Sequence, residues 1–503
     1  MKSMKGTRWI QIAALAAWTA AAPARADVTL PALLTDHMVV QRGVPVHVWG
    51  MAEPGETVTV EFRGERRDAT ADRLGRWSAY LSPGDAAGPF SLRVAAANEI
   101  VLEDVQVGDV WMASGQSNME LPLSRAEGGA EEIAAAEHPW LRVLRVEKTI
   151  SEHPLDDVKS DGWVVCSPET AAYFTAVGYF FARDLRSRED VAVGLIDTSW
   201  GGQPLAAYTS LAAIARDPGL MAVFAVRAAV ADERANLMLR FEKEKRDWAV
   251  AAAAAEAAGK EPPRHPWTPD FASWEPSATF NAMVAPVTRL PIRGVIWYQG
   301  ESDDSPERTA TYGRLFRAMI EDWRRRWGAD ELPFLFVQLA NWIPAPEKSW
   351  PEVREAQAEA LALRGTGMAV AIDVGGPDEL HPRDKQTVGR RLALAARAIA
   401  YGEDVEYRGP TFRQAVPEGA ALRVWLDHAD GLHTSDGGAP KGFEVAAEGG
   451  AWVAADARID GAGVVLSSPE VDAPIAVRYA WADSPTVNLT NGAGLPAVPF
   501  RSE

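Results

Sequence analysis

The chain carries one segment whose residue types and spacing could make a nucleophile. Trp111-Met-Ala-Ser-Gly-Gln-Ser-Asn-Met-Glu120 follows an apolar run and presents Ser117 just after Gly115. A serine hydroxyl attacks a carbonyl only when a base takes its proton, and the base needs a group to orient it. Far downstream, Asp378-Glu-Leu-His381 sets an acid three residues before a histidine. Ser, Asp and His therefore occur in an order that serine hydrolases use. Two further segments could supply hydrogen-bond donors. Ser199-Trp-Gly-Gly-Gln203 follows an apolar stretch at 191–196, and Gly294-Val-Ile-Trp-Tyr-Gln-Gly-Glu301 is a second apolar run with a polar end. Glycines let backbone N–H groups approach a ligand closely. The Gln299 amide is another donor, and acyl transfer needs donors aimed at the developing oxyanion.

These residues need elements that hold them. Strand, tight turn, serine and helix would expose Ser117 at the carboxyl edge of a parallel sheet. Strands are expected at 191–196, 292–298, 334–339 and 368–372, with helices between them. A helix over 383–400 places His381 at its entry. Residues 27–103 read as a β-domain: Thr57-Val-Thr-Val-Glu-Phe62 alternates, and Pro54-Gly55 and Pro83-Gly84 are turn signals. Residues 403–503 return to alternation, as in Leu422, Val424 and Leu426. Residues 210–278 have a different texture, rich in Ala, Glu, Lys and Arg. They read as a helical insertion, a solvated hairpin rather than a lid. The catalytic core is thus divided into 104–209 and 279–402.

Taken together, the motifs resemble the SGNH (GDSL-like) hydrolase superfamily, and within it the sialate O-acetylesterase family of carbohydrate esterases. Further matching segments are Leu33-Leu-Thr-Asp-His-Met-Val-Val-Gln41, Asn281-Ala-Met-Val-Ala-Pro286, His381-Pro-Arg-Asp-Lys385, Lys441-Gly-Phe443 and Val477-Arg-Tyr-Ala-Trp-Ala-Asp-Ser-Pro485. The resemblance implies an α/β fold: a flavodoxin-like α/β/α core with the helical insertion, and β-rich domains at both ends. It implies Ser117 as nucleophile and His381 as base. It makes the oxyanion hole from the Ser117 amide, a Gly201 or Gly202 amide, and the Gln299 side chain. The orienting acid is Asp378 by the superfamily spacing. Glu301 is the alternative used by related carbohydrate esterases, and Glu379 is a third by proximity alone. Gln116, Asn118, Trp200 and Glu301 are expected to touch the substrate, an acetylated carbohydrate. The sialate ester is the favoured substrate and a plant-polysaccharide acetate such as acetylxylan the alternative.

Composition narrows the classes. The formal charge of −18 argues against a nucleic-acid partner, which would need a basic face. One cysteine, Cys166, excludes an internal disulfide, and the eight histidines show no metal-ligand spacing. Neither a metal nor a cofactor is called for. Residues 1–26 read as a signal peptide, with Lys2, Lys5 and Arg8 before an apolar run and Ala24-Arg-Ala26 at a cleavage site. The chain is expected to be exported to the periplasm or secreted. The apolar run is too short for a stable membrane span. Among nineteen tryptophans, Trp111, Trp200 and Trp297 sit at motif-bearing strand ends, where a sugar could stack. Arg324-Arg-Arg326 reads as a solvated helix face. Two other classes are weighed: a non-catalytic carbohydrate-binding protein, against which the Ser117 and His381 pair argues, and a lipase or peptidase. A lipase would want an apolar lid.

Overall fold

In the computed structural model, residues 27–263, 266, 270–343 and 350–502 are described. The leader read at 1–26 lies outside them. The core sheet uses strands β1 (Glu99–Gly115), β2 (His138–Arg145), β3 (Trp163–Cys166), β4 (Ala192–Asp197), β5 (Gly294–Tyr298), β6 (Phe334–Val337) and β7 (Thr366–Ala369). Their order is β7-β6-β5-β1-β4-β2-β3. All neighbours are parallel except β2 and β3. Every residue of β4, β5, β6 and β7 is buried, as expected for parallel strands covered on both faces.

The principal helices are α1 (Ser117–Glu120), α2 (Ala176–Arg186), α3 (Ala222–Ala257), α4 (Pro306–Trp327), α5 (Trp350–Ala358) and α6 (Lys385–Tyr401). Helices α2 and α6 pack together on one face of the sheet. Thr175 and Asp384 cap their starts, accepting from Gly178 N and Thr387 N. The α/β core with β-rich additions at both ends is the fold expected.

The β-domains are tied to this core by continuous chain. The first half of β1 pairs antiparallel with Ala87–Ala95 in the N-terminal domain, and its second half is the central core strand. The expected boundary at 103/104 therefore falls inside one strand. In the C-terminal domain, Thr411–Glu418, Ala421–Asp427, Asp456–Asp460 and Gly463–Ser467 form one antiparallel sheet. A second is built around Phe443–Ala446 and Ala476–Tyr479.

Three expectations are corrected. The insertion is no hairpin: α3 runs unbroken for 36 residues. It contains no glycine or proline to turn it, and helix-favouring residues fill it. Arg324 is buried and donates to the Leu332 carbonyl at 3.0 Å, so the arginine run is only partly a solvated face. Trp111 and Trp297 are fully buried in the core and cannot meet a sugar. No helix among the described residues is long and apolar enough to cross a membrane.

Candidate active site

The nucleophile segment is shaped by a close approach of two strands. Gly115 ends β1 with φ of 128°, where a Cβ would lie 2.2 Å from the Tyr298 carbonyl oxygen. Only glycine lets the chain turn this tightly against β5. Gln116 N then donates to that same carbonyl at 2.9 Å, and Ser117 opens the single turn of α1. The site sits at the carboxyl ends of β1, β4 and β5, where chain connections leave to opposite sides, the usual ligand position in open α/β sheets.

His381 reaches this point from the loop before α6. Its Nε2 lies 2.8 Å from Ser117 Oγ. With the imidazole neutral, the hydroxyl can donate to Nε2, the arrangement a general base needs. Asp378 is exposed, and among the described residues no hydrogen bond joins it to His381. Glu379 is half-buried.

The loop bearing the histidine is fastened through Asn118. This amide is buried, and its Nδ2 donates to Glu301 Oε1 at 2.5 Å and to the Leu380 carbonyl at 3.0 Å. Its Oδ1 accepts from Lys385 Nζ at 2.5 Å. Asn118, expected at the substrate, is instead a cross-link between three segments, with its polar atoms already used. Gln116 acts similarly: its Oε1 accepts from Gly300 N and Ser302 N, both at 3.2 Å. Burial sets the titration of the acid and the amine. It raises the Glu301 carboxyl above its usual range, and it lowers Lys385 to about 7 against the opposing pull of Glu301.

The expected oxyanion donors separate. Gln299 is fully buried, and its Nε2 donates to the Gln203 carbonyl at 3.2 Å and to Asp303 Oδ2 at 2.5 Å. Both N–H groups are thus engaged away from Ser117, so this side chain braces the loops instead. Gly201 N donates to Glu120 Oε2 at 2.6 Å, and Glu120 in turn pairs with Lys148 at 2.5 Å. Among the described residues, the Ser117 and Gly202 N–H groups enter no hydrogen bond. Gly202 has φ of 79°, a left-handed turn that glycine adopts freely.

Ser117, His381, Gln116, Trp200, Gly201, Gly202 and Glu301 all line one open cleft of about 1450 Å³. Asn118, Gln299, Asp378 and Glu379 are not on its wall. Sequence reasoning missed Glu120, Lys148, Lys385, Trp274 and Trp342 as parts of the site or its supports. Glu120 and Lys385 close two of the quoted motifs, which was the available signal. The others come from segments with no motif.

An α/β sheet with a serine and histidine paired at its carboxyl edge is the arrangement of an SGNH-type hydrolase. Comparison with known proteins narrows this. Residues 257–398 match the model of the carbohydrate esterase family described as sialic acid-specific acetylesterase. The chain is 30% identical to the sialate O-acetylesterase of Pongo abelii, over 72% of this chain and 69% of that protein. It is 28% identical to the Mus musculus sialate O-acetylesterase over 93% of each. The crystal structure of a carbohydrate acetylesterase from Xanthomonas citri is 36% identical, with a TM-score of 0.83, covering 95% of this chain and all of that one. The chain belongs to the sialate O-acetylesterase family, and it is an ester hydrolase acting on acetylated carbohydrate.

Proposed function

We propose that the protein removes O-acetyl groups from sugars through an acyl-enzyme on Ser117. His381 Nε2 takes the Ser117 proton as Oγ attacks the ester carbonyl. The tetrahedral intermediate collapses, the C–O bond to the sugar breaks, and His381 returns the proton to the departing sugar hydroxyl. Water, deprotonated by His381, then attacks the acetyl-serine, and acetate leaves with Ser117 restored. The Ser117 and Gly202 N–H groups face the developing oxyanion, and the Glu120 carboxylate steadies the Gly201 side of that loop. Asp378 is the proposed acid, acting on the imidazole through its charge rather than a hydrogen bond, with Glu301 and Glu379 as the alternatives. Trp200 and Glu301 contact the sugar, and Gln116 sits at the floor of the cleft.

The observation carrying this reading is the 2.8 Å approach of His381 Nε2 to Ser117 Oγ on the wall of an open cleft. Sialate acetate is the favoured ester because the curated relatives are sialate O-acetylesterases. Acetate release from 9-O-acetylated sialate beside acetylated xylan tests it. Release from neither would overturn the reading, and release from xylan alone would move the substrate. Export is part of the proposal: the secreted chain should begin at Asp27, which mass measurement of the mature protein checks.

A further inference from the structure

Among the described residues, the lysine and arginine side chains lining the cleft are Arg125, Lys148 and Arg308. Two of them are spent within the protein. Lys148 Nζ pairs with Glu120 at 2.5 Å, and Glu120 in turn accepts from Gly201 N. Arg308 donates to the Ser302 carbonyl, and its guanidinium lies over the Trp274 ring. Arg125 differs. It is exposed, and among the described residues its guanidinium enters no hydrogen bond, ion pair or ring contact.

The backbone that carries Arg125 is nevertheless firmly held. Leu123 is fully buried, and its N–H donates to the Phe174 carbonyl at 2.8 Å. Arg125 N donates to the Pro122 carbonyl at 2.9 Å and closes the turn Leu123–Arg125. The Arg125 carbonyl accepts from Arg383 Nε at 3.1 Å, and Glu127 N donates to the Arg383 carbonyl at 2.8 Å. These bonds place Arg125 with respect to the chemistry. Arg383 is two residues past His381, a span of at most about 7 Å of chain. At the other end of the turn, Pro122 follows Leu121, whose N–H donates to the Ser117 carbonyl at 2.9 Å. Arg125 is thus tied on one side to the histidine segment and on the other to the serine segment.

The same contact gathers positive charge. Arg383 is exposed too, and among the described residues it forms no ion pair. Its guanidinium lies against the Arg125 backbone, so two cations without a carboxylate partner stand together. Around them the charge is opposite: acidic side chains outnumber basic ones on the cleft wall, and the formal charge of the chain is −18. Such a field does not draw an anion in from a distance, so an anionic substrate has to be met locally. An arginine fork suits a planar carboxylate, to which it can donate two parallel bonds. A neutral sugar offers it hydroxyls and makes little use of its charge.

We propose that Arg125, with Arg383 beside it, forms a carboxylate-binding position on the cleft wall, so that the preferred substrate is the acetyl ester of an acidic sugar. This rests on the deacetylation reading above and adds the charge of the sugar to it. Sialate and uronate rings both carry such a carboxylate, and the test has an arm for each. It measures acetate release, as kcat/KM, from 9-O-acetylated sialate and from acetylated galacturonate oligosaccharide. Each is compared with the same sugar whose carboxylate has been converted to an amide. Neutral acetylated xylan and 4-nitrophenyl acetate complete the set. The expected result is a preference of roughly tenfold for the acid over its amide, the scale of a charge-assisted bond to an exposed group. The arm that shows it names the sugar. Added salt should shrink the preference. Arg125→Gln should bring the ratio close to one by raising KM for the acid, and Arg125→Lys should restore part of it. Arg383→Gln should lower it less. Equal use of acid and amide in both arms, turnover of neutral xylan alone, or a preference that survives in Arg125→Gln would overturn the carboxylate position. Loss of turnover on every ester, 4-nitrophenyl acetate included, would instead sink the esterase reading.

Discussion

His381 Nε2 stands 2.8 Å from Ser117 Oγ although 264 positions separate them in the chain. If that contact is the proton path, Ser117→Ala should lower acetate release by about four to six orders of magnitude. The fold should be little affected, since among the described residues the Ser117 hydroxyl bonds only to His381. Turnover assays beside thermal melts check this. A variant keeping a tenth of the activity would end the serine mechanism.

The orienting acid is tested by pH. His381 must be neutral to act, so activity should rise as pH climbs through its pKa. A carboxylate near the ring favours the charged imidazole and raises that pKa. Asp378→Asn should therefore move the rising limb to lower pH. Because Asp378 is exposed, the shift should be small, as for a solvent-screened pair. A larger loss in Glu301→Gln than in Asp378→Asn would transfer the role to the buried glutamate.

Gln299 separates bracing from oxyanion binding. Removal of a true oxyanion donor costs about 10²–10³ in kcat. The Gln299 amide instead joins Gln203, Asp303 and, through Oε1, the Tyr312 hydroxyl at 3.0 Å. Gln299→Ala should lower stability by about 1–3 kcal/mol through unsatisfied buried partners. Its effect on kcat should be well under a hundredfold, against that expected for a lost donor. A melt unchanged from wild type with kcat down a thousandfold would contradict the bracing role.

Arg354 welds the C-terminal domain to the cleft. It is fully buried, and it donates to the carbonyls of Leu339, Ala340, Ala482 and Asp483 at 2.8–2.9 Å. Two of these precede Trp342 on the cleft wall, and two lie in the Val477–Pro485 motif. Arg354→Met should destabilise by about 2–5 kcal/mol, since several buried acceptors lose their donor. It should also raise KM more than it lowers kcat. A lysine has fewer donors and a different geometry, so Arg354→Lys should recover little. Melts and steady-state kinetics on both variants decide.

Lys385 gives a stability signature. Its amine is lowered from 10.5 to about 7 by complete burial. Between those values the unfolded chain binds a proton that the folded chain does not, so stability gains with rising pH. Below about pH 7 the folded protein must carry the buried charge. Lys385→Met removes this dependence. The variant should therefore gain relative to wild type as pH falls from about 10 to 7, by on the order of a few kcal/mol. Melts of both proteins across that window check it. Parallel curves would mean the amine stays charged throughout.

Much of the architecture was legible because its signals are local. Apolar runs ending in glycine marked β1, β4 and β5, since a strand buried on both faces must be continuously apolar. The helix expected over 383–400 is α6, Lys385–Tyr401, and it put His381 at its entry. The Ser117 motif was recognisable because a tight turn needs Gly115. Helix α3 was legible as helix but not as one rod, since an alanine-rich stretch does not announce where it would turn.

What the sequence determined by itself was the set of chemical groups: a serine beside a glycine turn, a histidine at a helix entry, glycines and amides at strand ends, and their family. What only the tertiary structure decided was which of those groups is free to act. Gln299 and Asn118 have the right donors, but their partners, Asp303, Gln203, Glu301, Leu380 and Lys385, come from other segments and consume them. Trp111 and Trp297 lie within buried strands, whereas Trp200 follows β4 in a loop that lines the cleft. A side chain's hydrogen-bonding capacity is fixed by its type, but whether that capacity is spent depends on neighbours brought from far along the chain.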